Sequence, residues 1–118
     1  MKSLPLISDG KVFKIIDGDV IAASGEIHCY HGYWTLLSGF VSPEYRGRGF
    51  HRRLIRARVK EVFKRGGTRV RAWVDTKNAY CLNNLIEEGF RFIKIKKRKF
   101  SGVYHVCLVL TQTEISIH

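Results

Sequence analysis

Val41-Ser42-Pro43-Glu44-Tyr45-Arg46-Gly47-Arg48-Gly49-Phe50-His51 is the stretch whose reading decides the fold. Before it, Tyr33-Trp34-Thr35-Leu36-Leu37-Ser38-Gly39-Phe40-Val41 reads as a strand, and Pro43 ends it because proline has no N–H to give a ladder. After it, Phe50, Leu54, Ile55, Val59, Val62 and Phe63 recur at helical spacing, with Arg52, Arg53, Arg56, Lys60 and Lys64 largely on the other faces. The stretch is a strand-to-helix junction. Glycines at a helix start let the main chain approach an anion closely. The first helical N–H groups lack an internal partner and carry partial positive charge. A diphosphate binds readily at such a place, and Arg46 and Arg48 add charge to it.

Outward from this junction the chain falls into an ordered series. Lys11–Ile16 and Val20–Cys29 read as strands joined by the turn Asp17-Gly18-Asp19. Tyr30-His31-Gly32 turns into the strand already described. Gly66-Gly67 stops the helix. Thr68–Val74 alternates as a strand, with Val70, Ala72 and Val74 on one face. Asn78–Glu88 reads as a second helix ended by Gly89, and Phe90–Phe100 and Tyr104–Leu110 as closing strands. The pattern predicts one α/β (α+β) domain over residues 1–118, a mixed, mainly antiparallel sheet with two helices. Residues 1–10 and 111–118 are expected to be loose.

Two nucleotide-binding motifs fail on spacing. The pattern Gly-x4-Gly-Lys-Ser/Thr is absent, and the dinucleotide fingerprint needs a third glycine where Arg52 stands. Instead Val41-x-Pro43-x-Tyr45-Arg46-Gly47-Arg48-Gly49 resembles the acetyl-CoA pyrophosphate loop of the GNAT N-acetyltransferases, Arg/Gln-x-x-Gly-x-Gly/Ala. Arg46, Gly49 and His51 fall on its three marked positions, and His51 departs from the small residue found there. Asn78 to Phe90 resembles the family's closing helix, in which an Asn lies eleven residues before a Gly-Phe pair. Phe40 to Phe90 carries the specific part of the resemblance.

The resemblance implies acetyl-CoA as co-substrate, held by Phe40, Val41, Arg46, Gly47, Arg48, Gly49, Phe50, His51 and Asn78. It implies pantetheine in a gap between the strand before the loop and the strand after its helix. Thr35, Leu37, Ser38 and Trp73 would border the acceptor side. An acceptor amine would attack the thioester directly, with one proton removed from the amine and one given to the leaving thiolate. The chain departs from the family twice: the usual tyrosine falls at Leu85 and the usual strand glutamate at Thr35. Tyr80 is a substitute for the acid, and Glu26, His28 and Tyr30 share one strand face that can supply a base. Catalysis by positioning alone is the alternative. The family's usual two helices before the first hairpin have no room here, so the acceptor cleft is expected to be open, or closed by a second copy in a homodimer.

Composition bounds the partners. Net charge is +11, and all of the 21 Lys and Arg except Lys2, Lys11 and Lys14 lie between Arg46 and Lys99. Such a half attracts polyanions, so the acceptor amine is expected on a macromolecule, a protein or a nucleic acid, with acidic character. Nucleic-acid binding is the competing reading, with Tyr45, Phe50 and Trp73 interleaved among the cations. So is a scaffold that keeps the fold without the chemistry. His28-Cys29-x-His31 makes a poor metal site, because neighbouring strand residues point to opposite faces, and no metal is expected. The three cysteines, Cys29, Cys81 and Cys107, read as reduced and mostly buried thiols. No apolar run is long enough for a membrane span, and the N-terminus lacks a signal peptide's apolar core, so a cytoplasmic location is expected.

Overall fold

Pairing order, more than element content, positions the site. The computed structural model describes residues 3–97 and 103–112. Its elements are β1 (Leu6–Ser8), β2 (Val12–Asp17), β3 (Val20–Tyr30), β4 (Tyr33–Val41), a single 3-10 turn (Pro43–Tyr45), α1 (Phe50–Lys64), β5 (Arg69–Asp75), α2 (Ala79–Glu87), β6 (Arg91–Lys97) and β7 (Tyr104–Thr111). The seven strands form one sheet in the order β1-β2-β3-β4-β5-β7-β6. Every pairing is antiparallel except β4 with β5, which is parallel because α1 crosses over between them.

Alternation puts one face of strands β2 to β5 and β7 against the helices. Phe13 and Ile15, Ile27, Leu36, Val70, Ala72, Val74, Val106 and Leu108 are buried there, against Leu54, Ile55 and Val62 of α1 and Leu85 of α2. The helices lock to each other as well. Arg52 reaches Glu87 at 2.8 Å and Glu88 at 2.6 Å, and Arg56 reaches Glu88 at 2.8 Å. Burial works to raise the Glu88 carboxyl, but the Arg56 and Arg52 guanidiniums outweigh it and hold the group below its ordinary range. The opposite face of the sheet carries no helix among the described residues.

Two expectations change. The segment read as loose at the N-terminus contains β1, which pairs with β2 through Leu6–Ile15, Ile7–Lys14 and Ser8–Phe13. Leu4 and Leu6 pack on the core and the Leu4 carbonyl accepts from Arg53, so packing orders what three residues of propensity would not. Cys29 is exposed, because it stands one residue from the end of β3; Cys107 is buried and Cys81 half-buried. The distal part of the expected strand Phe90–Phe100 and the tail 113–118 lie outside the described residues.

Candidate active site

The β4–β5 pairing covers only Trp34–Val70, Thr35–Arg71 and Leu36–Ala72. Beyond it β4 runs on to Val41 and β5 to Asp75 without touching, and a cleft opens between them. A bulge helps. In the β3–β4 ladder Ser24 faces Phe40 while Glu26 faces Leu37, so β4 carries an extra residue opposite Gly25.

Arg58 of α1 fills the bend. It is 2% exposed, and its guanidinium donates to the carbonyls of Leu54 (3.2 Å), Glu26 (3.3 Å) and Leu37 (3.2 Å). A Cβ on residue 25 would lie 2.7 Å from the guanidinium carbon, so only glycine fits beside it. Burial, with no carboxylate bonded to it, pushes the Arg58 pKa down to about 10, and the group stays a cation at neutral pH.

The cleft, about 260 Å3, is lined by Leu36, Gly39, His51, Arg58, Trp73, Asp75, Asn78, Cys81 and Leu85 among others. A second cavity of about 490 Å3 continues from it along Phe40, Val41, Arg46 and Tyr80, and the two share Gly39, His51, Asn78 and Cys81. Above them α1 begins. Its N-cap, Gly49, sits at φ +79°, a left-handed conformation that favours glycine, and no side chain caps the helix. The free N–H groups of the first turn therefore face the loop, a ready anion site at the mouth of the cleft.

The sequence-predicted residues divide. Phe40, Val41, Arg46, His51, Asn78 and Tyr80 line the outer cavity together. Gly47, Arg48, Gly49 and Phe50 build the loop but line neither cavity. Arg48 lies 5.0 Å over the Tyr45 ring and donates to the Glu44 carbonyl, which draws its charge to the outside of the turn. Tyr45 pins the loop to the β2–β3 turn through Asp17 at 2.6 Å. Arg46 binds the Val41 carbonyl through Nε at 3.4 Å. Asn78 caps α2, its carbonyl oxygen accepting from the Cys81 N–H at 3.1 Å. Glu26 and His28 stand on the helix-free face of β3 and line neither cavity, so the structure does not bring them to Tyr80.

His51 turns inward. It is 7% exposed, its Nδ1 lies 2.9 Å from the Asn84 side-chain nitrogen, and its Nε2 lies 3.8 Å from Cys81 Sγ. Burial and then the Arg58 charge lower its pKa to about 4, so the ring is neutral at pH 7. Arg58, Asp75 and Cys81 were not legible as site residues. Arg58 and Cys81 sit where helical periodicity predicts packing, Asp75 ends β5 off the buried Val70–Ala72–Val74 face, and nothing local marks a buried arginine until Gly25 and the bulge are seen together.

The family model of the acetyltransferase (GNAT) family matches residues 8–88, more than half of the chain. The chain belongs to the GNAT acetyltransferase family. It is an enzyme class whose acetyl donor is acetyl-CoA. Solved members share the fold at low identity. The ribosomal-protein-S18-alanine N-acetyltransferase of Escherichia coli is 18% identical with a TM-score of 0.76, over 95% of this chain and 77% of that one. An IAA acetyltransferase of Bacillus cereus is 14% identical with a TM-score of 0.79, over 85% and 76%. A Bacillus subtilis acetyltransferase in complex with CoA is 16% identical with a TM-score of 0.73, over 85% and 75%. No curated protein sequence matches this GNAT chain significantly.

From the end of α1 onto the helix-free face of the sheet this acetyltransferase has a groove of about 910 Å3 that includes Tyr33, Trp34, Arg65, Arg69, Arg71 and Lys94. Arg71 lies 4.3 Å over the Tyr33 ring, and Lys94 lies 5.7 Å over Trp73, which itself borders the cleft. Among the described residues no Asp or Glu lines this groove.

Proposed function

We propose that the chain transfers acetyl from acetyl-CoA to an amine carried by an acidic macromolecule, by direct attack of the amine on the thioester. The observation that carries this reading is the opening of β4 from β5 directly beneath an uncapped helix N-terminus. The diphosphate takes the free N–H groups at Gly49–His51, with Arg46 beside it. The pantetheine arm enters the cleft along the main chain of Phe40 and Val41, and the Asn78 carboxamide nitrogen, free of the capping bond, meets it. Tyr80, exposed and lining the outer cavity but not the cleft, borders the arm from the outside.

Leu85 is buried and has no exchangeable proton, and Thr35, whose hydroxyl accepts from Arg71, lines neither cavity, so neither is cast in proton transfer. Asp75 is the carboxylate that lines the cleft, at the end of β5, and takes the proton of the attacking amine. The Arg71–Tyr33 groove supports an anionic partner, since its cations repel a small free amine and attract a polyanion. The Escherichia coli neighbour, named for an alanine of ribosomal protein S18, supports a protein acceptor. A nucleic-acid acceptor is the second reading, favoured by Tyr33 and Trp34 beside Arg71 and Arg65.

Calorimetric titration with acetyl-CoA tests the first step, with dissociation in the micromolar range of such sites, on the order of 1–100 μM. Extract incubated with the protein and labelled acetyl-CoA, compared with Gly49→Glu, then identifies the acceptor by mass spectrometry. Absence of any acetyl-CoA binding removes the proposal. Retention of tRNA or duplex DNA that weakens steeply with salt moves the acceptor to nucleic acid; salt-independent or absent retention leaves the acidic protein.

A further inference from the structure

Two cations of the groove stand at fixed distances from the cleft. On β5, Arg69, Arg71, Trp73 and Asp75 alternate with the buried Val70, Ala72 and Val74, so all four share the helix-free face. Asp75 is the cleft end of that row. At about 3.3 Å per residue, Trp73 lies about 7 Å down the strand from Asp75 and Arg71 about 13 Å. The outer strands add Lys94. Trp73 faces Cys107 of β7, and Cys107 faces Lys94 of β6, so Lys94 stands level with Trp73 and its Nζ lies 5.7 Å from that ring. Both charges bear on the Cys107 thiol: burial raises its pKa, and Arg71 and then Lys94 oppose the rise.

Neither cation is neutralised. Among the described residues no carboxylate pairs with Arg71 or Lys94; the ion pairs engage Arg52, Arg56 and Arg65. Arg71 donates through Nε to Thr35 Oγ1 at 3.4 Å and lies over the Tyr33 ring, which holds its guanidinium on the face and leaves both Nη nitrogens for an incoming acceptor. Glu26, also on this face, stands on β3 beyond Leu37 of β4, across the cleft.

We propose that Lys94 and Arg71 select the acceptor by the position of its acidic residues: the acetylated amine is a peptide N-terminus, and carboxylates on the third and fifth residues of that peptide meet Lys94 and Arg71. This rests on acetyl transfer taking place at the cleft beside Asp75. An extended peptide advances by about 3.3 Å per residue, as the strand beneath it does, and turns alternate side chains to one side. With its first residue at Asp75, its third falls level with Lys94 and its fifth level with Arg71, both turned toward the sheet. The Arg71 fork suits a carboxylate in two-point contact, and Lys94 supplies a point charge. Cations already lie over the Tyr33 and Trp73 rings and take faces on which bases would stack, which favours a peptide over a nucleic acid in this groove.

The test uses the full chain with saturating acetyl-CoA and two short peptides of identical composition. One carries Glu at its third and fifth residues, the other at its second and fourth, with alanine and glycine elsewhere. Equal net charge cancels general attraction to a basic protein. The first peptide is expected to show a kcat/KM about tenfold higher, through KM. Arg71→Glu combined with Lys94→Glu should abolish that preference and transfer it to a peptide with Lys at the third and fifth residues, an exchange that misfolding does not produce. Calorimetric affinity of the variant for acetyl-CoA should match the wild type. Equal kcat/KM for the two registers overturns the inference, as does acetylation of neither peptide by protein that binds acetyl-CoA; in both cases the broader reading of an acidic acceptor still stands on the extract experiment. Inhibition by tRNA that displaces both peptides and fades with salt gives the groove to nucleic acid and overturns it too. Failure of the wild-type protein to bind acetyl-CoA overturns the proposed function along with it.

Discussion

Arg58→Met keeps the aliphatic stem at residue 58 and removes the guanidinium from the bend between α1 and the β3–β4 bulge. Two opposed quantities set the outcome. Three bonds to carbonyls at 3.2–3.3 Å are lost; at about 1.5 kcal/mol for each bond to a charged group this is about 4–5 kcal/mol. Burying the cation is itself unfavourable. Its pKa falls from 12.5 to about 10, which at ~1.4 kcal/mol per pH unit corresponds to about 3 kcal/mol returned when the charge is removed. The net loss is about 1–2 kcal/mol, read as a lower urea midpoint by circular dichroism with an unchanged slope. Function is expected to suffer alongside. With the Glu26 and Leu37 carbonyls released, β4 relaxes toward β5 and acetyl-CoA binds about tenfold more weakly, or ~1.4 kcal/mol. His51 supplies a third reading: burial, the larger cause of its lowered pKa, stays, but the second cause, the Arg58 charge, is gone, so its proton titration moves part of the way up. A variant with the wild-type midpoint and the wild-type affinity refutes this account of the bulge.

Gly49→Glu forces a side chain to φ +79° and sets a carboxylate at the anion site; acetyl-CoA affinity should fall at least about a hundredfold by calorimetry, while circular dichroism stays native. His51 makes stability depend on pH. Its folded pKa of about 4 lies below the ordinary 6.5, so its contribution is complete above pH 6.5 and is lost as pH falls toward 4. That loss is about 2 kcal/mol, discounted for water reaching the ring, in urea midpoints taken across this range. His51→Gln should flatten that part of the profile. Leu54→Ala empties a fully buried position where α1 meets the sheet and should cost about 3 kcal/mol in urea unfolding.

The order of strands and helices was readable because each apolar run keeps one period and the turns are marked by Asp-Gly, Gly-Gly and Pro43. The strand-to-helix junction was readable for the same reason: Pro43 and Gly49 mark its two ends. β1 was not, since Leu6–Ser8 gains its order from pairing with β2 and from the packing of Leu4 and Leu6. Within the site, main-chain elements were easier to foresee than side chains. His51 occupied its motif position, but its partners on α2, Asn84 and Cys81, lie 33 and 30 residues away in sequence, and only the α1–α2 contact unites them. Glu26 and His28 looked like a base because they share a strand face; that face turns away from the cleft. Arg58 sat on the apolar stripe of α1, where a charged residue signals an interior role that spacing alone does not name.

The parallel contact of β4 with β5 has a mechanical meaning. Strands β1 to β4 form one antiparallel ribbon and β5 to β7 another, and their edges meet through just three residue pairs. Rocking of the two ribbons about the Trp34 end is therefore a soft motion of the sheet, restrained mainly by α1 lying across both. A coenzyme arm lodged in the notch would bond to each ribbon and stiffen that hinge. Occupancy and thermal resistance are then linked, and melting should shift upward with acetyl-CoA concentration as mass action requires.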